Sequence, residues 1–284
     1  MAEKHIRFDW AIKKLLRDKA NYVVLEGFIS ELLKEDIKID SILESESNRF
    51  TEENKLNRVE ILAKNAKDDF LLVEIQISAE NNYLHRMFYG VSTLISENLG
   101  KGESYGKVKK TYSINIVYFS LGEGRDYIYK AQSDFSGMHI NDKLEPSELQ
   151  KEVFNIDEVY QIFPEYYVLR VNYFNNVVKD SLDEWIYFLK NSEIKDEFQA
   201  KRLAQAKDNL RVDNLSPTEK AAYQKYLENR RYEISLIESA EVTGELRGRK
   251  EAKIEIAKSL KAEGTDINLI VKTTELTSEE IEKL

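Results

Sequence analysis

No cysteine occurs in the 284 residues. That absence excludes disulfides, thiolate nucleophiles and cysteine-ligated zinc, and it fits a reducing compartment. Only 3 prolines and 11 glycines interrupt the chain, so long regular elements are expected. His5, His85 and His139 are scattered and make neither a zinc ligand set nor a general-base pair. No apolar run approaches the roughly eighteen residues that a membrane span requires, and Met1 to Arg7 lacks the apolar stretch of a signal peptide. A cytoplasmic protein with no membrane partner is the expectation. An excess of positive charge is missing too: 51 acids face 42 Lys and Arg, a net charge of −9. That balance argues against a strongly basic nucleic-acid binder, since Lys and Arg supply most non-specific affinity for phosphates, but it does not exclude a nuclease. One local basic stretch, Lys101, Lys107, Lys109 and Lys110, reads either as a patch beside a site or as an ordinary solvated loop.

What the chain has is 42% hydrophobic and 11% aromatic residues, enough to bury a sizeable core. Its most informative segments are Asn57 to Ala63 and Phe70 to Ser78, two β-branched, apolar-rich runs joined by the polar Lys64 to Asp69. They read as adjacent antiparallel strands of a hairpin. Strand side chains alternate between faces, so Leu72, Glu74 and Gln76 share one face and Val73, Ile75 and Ile77 the other. Glu60 and Leu62 share a face on the first strand. With the faces matched, Glu60 and Glu74 lie a few ångströms apart, and two carboxylates at that distance repel unless a proton or cation sits between them. Residue spacing leaves two readings open: a divalent-metal site, or two solvated glutamates on a half-exposed sheet.

The acid in one strand followed by acid, any residue and a polar residue in the next, here Glu60 then Glu74-Ile75-Gln76, resembles the PD-(D/E)xK nuclease core. Asp9-Trp10-Ala11-Ile12-Lys13-Lys14-Leu15 resembles the opening motif of the transposase branch of that superfamily, the recombination-promoting nucleases. Leu25-Glu26-Gly27-Phe28, His85-Arg86-Met87-Phe88-Tyr89 and Lys101-Gly102-Glu103-Ser104-Tyr105 extend the similarity, which covers about residues 7 to 130. The resemblance implies an α/β, restriction-endonuclease-like core ordered helix, three strands, helix, strand, with a helical C-terminal extension. It also implies a Mg²⁺- or Mn²⁺-dependent endodeoxyribonuclease associated with DNA recombination or transposition. In that mechanism Glu60, Glu74 and the Ile75 carbonyl hold the metal, Gln76 orients the water or the phosphate, and Arg86 meets DNA. Two positions depart from the pattern: Glu60 stands where the family usually has Asp, and Gln76 where the superfamily has Lys. Gln hydrogen-bonds but cannot neutralise charge. A catalytically degenerate scaffold that binds nucleic acid or protein through its C-terminal helix is the alternative.

Further candidates each have two readings. Glu26 is a third acid for the site or a surface helix residue. Asp9 is a site acid or a first-turn acid stabilised by the helix dipole. Arg86 and Tyr89, three apart on one helix, contact DNA with Lys101 or cover the sheet edge.

Apolar spacing predicts a helical stretch from Phe8 to Leu33 interrupted near Lys19 to Asn21, a strand Ile37 to Leu43, and a helix Tyr83 to Leu99. That helix presents Tyr83, Met87, Val91, Leu94 and Ile95 on one face, and a buried-type strand Tyr112 to Phe119 follows. The aromatics between Asp126 and Asn176 are read as packing. Helices are expected over Ser181 to Leu189 and Glu193 to Leu210. Ser216-Pro217-Thr218-Glu219 starts a long charged helix running to about Glu263, and Thr277-Ser278-Glu279-Glu280 is a second capping box. The division expected is a nuclease-like domain over 1–178, a helical region over 179–264 and a small C-terminal element over 265–284, with homo-oligomerisation through the C-terminal helices. Gly122-Glu123-Gly124 and Gly244 to Gly248 lack the strand and Lys context of a phosphate-binding loop.

Overall fold

The computed structural model describes residues 5–14, 19–43 and 58–284. The chain divides into two units, Met1–Gln224 and Lys225–Leu284. In the first, helices α1 (Phe8–Lys14) and α2 (Tyr22–Leu33) precede strands β1 (Ile39–Leu43), β2 (Arg58–Asn65) and β3 (Phe70–Gln76). Helix α3 (Tyr83–Asn98) leads to β4 (Thr111–Val117), β5 (Ile128–Ala131), α4 (Glu148–Phe154) and β6 (Glu165–Arg170). Helices α5 (Ser181–Asn191) and α6 (Leu203–Asn209) follow. The expected positions Leu15, Leu16 and Asn57 lie outside the described residues.

The hairpin closes as its composition predicts. Asn65 Oδ1 accepts from the backbone N–H of Lys67 at 3.0 Å and of Asp69 at 2.9 Å, and Asp68 takes a left-handed φ of 66°. An Asn side chain that mimics a backbone turn and an Asp that tolerates positive φ explain why this polar stretch reverses the chain. The six-stranded sheet has the order β1-β2-β3-β4-β6-β5, with β1, β2 and β3 an antiparallel meander and β3, β4 and β6 parallel. This mixed α/β architecture is consistent with a nuclease fold of the expected kind. It adds β5 and β6, from the aromatic-rich region, to the four strands read from the sequence.

Helix α3 covers one sheet face. Val91 and Leu94 pack on Leu62, Phe70 and Leu72, while Tyr83 and Met87 pack on Val117. Those helical residues recur three or four apart, so one stripe is buried and the opposite side stays wet. On the other face Ile61, Val73, Ile75, Ile114, Ile116 and Leu169 are buried. Helix α1 packs against β2, and its Phe8 meets Phe28 of α2 and Phe188 of α5.

The chain from Glu193 to Leu210 is not one helix as expected; only Leu203–Asn209 is helical. Ser192 and Arg202 adopt left-handed φ values of 53° and 60°. Between them Glu184 accepts from the N–H of Gln199 and Ala200, and Glu31 from that of Lys201. Side-chain carboxylates thus satisfy amides that a helix would have paired internally. Helices α5 and α6, grouped above with the charged helix, both pack against α2 in the first unit.

Helix α7 (Pro217–Ala262) starts in the first unit and makes up much of the second, which also holds α8 (Ile267–Thr274) and α9 (Ser278–Glu282). Ser216 caps α7 with Glu219, and Thr277 caps α9 with Glu280. Within the second unit Ala257, Ile270, Leu276 and Ile281 form a small core, so the end of α7 has an apolar partner. No helix of the described residues is long and apolar enough to cross a membrane.

Candidate functional site

The register of the hairpin sets Glu60 directly opposite Glu74 and Arg58 opposite Gln76. Directly paired antiparallel residues point to the same face with Cβ atoms about 4.5–5.5 Å apart, so the two carboxylates share one neighbourhood. Their face is the one that α3 covers. Glu74 is 4% exposed and Glu60 half-buried. In the parallel ladder Glu74 pairs with Asn115 and Gln76 with Val117.

The end of the hairpin feeds into α3, and that connection brings a cation to the acids. Arg86 Nη2 donates to Glu74 Oε1 at 2.6 Å and to Gln76 Oε1 at 3.1 Å, and Nη1 donates to Glu80. Gln76 Nε2 donates to the Ser78 carbonyl at 3.1 Å, so both ends of its amide are engaged within the protein. The guanidinium lies 4.9 Å from the Tyr83 ring centroid. Tyr83 is fixed in turn, donating its hydroxyl to Asn115 Oδ1 at 3.2 Å, and Asn115 donates to Ser113 and to the Tyr167 carbonyl. A phenol anchored at its tip and stacked on its face sets the guanidinium's plane.

Gln76 directs its carbonyl at β4, where the Tyr118 N–H donates at 3.0 Å. Alternation along the strand therefore aims the Ile75 carbonyl at Val59, its partner on β2.

The other candidates lie apart. Glu26 is 8% exposed, yet its Oε1 accepts from the Ile39 N–H at 2.9 Å, and Lys38 and Arg202 stand 3.6 and 3.4 Å from Oε2. Ile39 pairs with Asn65, five residues along β2 from Glu60 and so about 16 Å away at a strand's rise. Glu26 belongs instead to a cavity of about 550 Å³ with Lys19, Tyr22, Lys38, Asp40 and Arg202. Asp9 is 1% exposed in the first turn of α1 and accepts from Arg7 Nε at 3.1 Å. Tyr89 projects to solvent at 71% exposure, whereas Arg86 turns inward, so the two do not form one contact surface. Lys101 is exposed in the loop after α3. The rest of its basic stretch sits where β4 begins, beside Phe70 and four strand positions from Glu74. There Lys107 pairs with Glu103, Lys109 with Asp68 and Lys110 with Glu165. That stretch does not lie beside the acids.

Sequence reasoning missed Glu80, Tyr83 as a ring for Arg86, and Asn115. A signal existed for two of them. Tyr83 and Arg86 are three apart on a helix, and Asn115 is a polar residue inside the apolar run Thr111–Val117.

The donor set suits a hard divalent ion. Two carboxylates and a carbonyl, with water and substrate oxygens completing the shell, is how Mg²⁺ is usually held. Among the described residues no group of three or more His, Cys, Asp or Glu forms a cage, and Mg²⁺ does not need one. Glu74 accepts from Arg86 through Oε1.

The chain matches the family model for PD-(D/E)XK nuclease family transposases over residues 6–240, a stretch that includes β2, β3 and α3. No curated protein and no solved structure matches it. With Glu60, Glu74, Gln76 and Arg86 all inside the matched stretch, the chain belongs to the PD-(D/E)XK nuclease family transposases.

Proposed function

We propose that the protein is a Mg²⁺- or Mn²⁺-dependent DNA endonuclease acting in transposition or recombination in the cytoplasm. The observation that carries this reading is the direct pairing of Glu60 with Glu74 on the α3 face of the sheet. Glu60, Glu74 and the Ile75 carbonyl are the groups that would hold the ion, which supplies Lewis acidity and a bound water of lowered pKa. The protein's own share is placement. Burial of Glu74 fixes one carboxylate against the sheet, and half-buried Glu60 keeps the site in reach of a phosphodiester. Tyr89 and Lys101, both exposed, are available to DNA beyond the acids. Exposed Tyr232, Leu236, Val242 and Leu246 on α7 support homo-oligomerisation through the C-terminal helices.

The test is incubation of purified protein with supercoiled plasmid and Mg²⁺ or Mn²⁺ beside Glu74→Ala. Nicking by the wild type and none by the variant is the expected result. Equal nicking by both removes the active site proposed here.

A second reading, a degenerate scaffold that binds without cutting, draws on the Arg86 contact with Glu74 and on Gln76 at the lysine position. It requires DNA or protein binding with no metal-dependent cleavage.

A further inference from the structure

The lysine of the superfamily motif is Gln76 in this chain, and an amide cannot neutralise the charge that builds on a phosphoryl group under attack. A cation nevertheless occupies that neighbourhood, delivered by a different element. Arg86 of α3 places Nη2 at 3.1 Å from Gln76 Oε1 and 2.6 Å from Glu74 Oε1. Gln76 is oriented for this, because Nε2 is committed to the Ser78 carbonyl and only the acceptor end of the amide faces the guanidinium. Tyr83 and Asn115 hold the plane of the guanidinium. Arg86 Nε is buried and has no acceptor among the described residues. A buried N–H donor without an acceptor is uncommon and costly, and calls for an explanation. The side chain as a whole keeps 23% exposure, so a turn of the guanidinium toward a phosphodiester bound at Glu74 would bring that N–H to a non-bridging oxygen.

We propose that Arg86 takes over the role of the motif lysine, with its Nε–H donating to the scissile phosphate, and that Gln76 is the positioning residue that holds it there. The inference rests on the nuclease reading above. In the hydrolysis the oxygen of water bonds to phosphorus and the bond from phosphorus to the leaving sugar oxygen breaks. The proton of the water passes to solvent, and the leaving oxygen takes a proton from solvent. Arg86 takes no part in these proton transfers and neutralises the non-bridging oxygens. Arginine suits this placement, since a planar fork can keep two nitrogens on carboxylates and offer the third to phosphate.

The full chain carrying Arg86→Gln, Arg86→Lys or the pair Arg86→Gln with Gln76→Lys separates the cases, with Glu74→Ala as control. Plasmid nicking yields kcat and KM, and calorimetry follows Mn²⁺ uptake without DNA. Arg86→Gln is expected to lower kcat about 100-fold, with KM moved far less and Mn²⁺ uptake equal to or tighter than wild type, because a positive charge beside Glu74 is gone. Arg86→Lys and the charge-swapped pair are each expected to recover about tenfold or more of that loss. Arg86→Gln nicking like wild type beside an inactive Glu74→Ala overturns this inference and leaves the nuclease reading standing. Weakened Mn²⁺ uptake in Arg86→Gln and Arg86→Lys alike, or no recovery in either charged variant, also overturns it, since the residue would then only support the fold. A wild type that neither nicks nor takes up Mn²⁺ removes the nuclease reading and this inference with it.

Discussion

Glu165, at the start of β6, is 4% exposed and is held by Lys110 at 2.8 Å, Lys130 at 2.9 Å and the Tyr167 hydroxyl at 2.8 Å. Burial alone would raise its carboxyl, but the hydrogen bonds from Lys110, Lys130 and Tyr167 outweigh burial and hold it below the ordinary carboxylate value. Burial pulls the Lys110 ammonium the other way, below the ordinary lysine value. The geometry favours the ion pair, because Lys110 also donates to the Tyr160 and Phe163 carbonyls at 2.9 and 2.8 Å and has no better partner. A carboxyl depressed in the folded state adds stability above its unfolded value of about 4.3, and that stability fades as pH falls through the lower folded value. Glu165→Gln leaves Lys110 uncompensated, and the expected loss near neutral pH is about 3 kcal/mol. Urea midpoints for both proteins should converge as pH drops below about 4. A gap that stays constant into acid would show that the carboxylate charge is not what the fold uses.

Between elements, the packing of α2 on α5 turns on one position. A Cβ added at Gly27 would meet Trp185 Cζ2 at 2.7 Å, Arg202 Cβ at 2.9 Å and the Lys201 carbonyl at 3.0 Å, none of them the loose end of a flexible chain. Helix propensity favours Ala over Gly by about 1 kcal/mol, while overpacking costs about 1–3 kcal/mol. Gly27→Ala should therefore destabilise, and a raised urea midpoint would refute the close approach. This contact lies between residues distant in sequence, and the same distinction separates what could be read beforehand from what could not. The hairpin, α3 and its buried stripe, the N-cap of α7 and the capping box of α9 are written in neighbouring residues, through period and cap chemistry. The hand-over of β4 to β6 rather than β5, the loop that replaced a helix after Ser192, and the capture of Glu26 by Ile39 depend on partners far along the chain. At the site the facing acids followed from strand alternation, whereas the Arg86 contact with Glu74 needed the turn from sheet into helix, which no periodicity encodes.

For the whole molecule, charge governs how a polyanion can approach. With 51 acids against 42 Lys and Arg, the long-range field repels DNA. Of the basic stretch, Lys107, Lys109 and Lys110 are each paired with an acid, which leaves few ammonium groups to displace counterions. We expect association to rest on a few local contacts such as Lys101, exposed in the loop after α3, and on a divalent ion at the paired acids. Two or three phosphate contacts give a slope of log affinity against log salt of about −2 to −3, since each contact contributes about −0.9. Anisotropy of a labelled duplex titrated across about 50–200 mM KCl at fixed Mg²⁺ measures this slope. Added Mg²⁺ at constant ionic strength should tighten binding by the wild type but not by a Glu60→Ala, Glu74→Ala protein. A slope near −6 or steeper would require an extended cationic face, and the charge argument would fail; equal Mg²⁺ dependence in the double variant would place the ion's contribution away from Glu60 and Glu74.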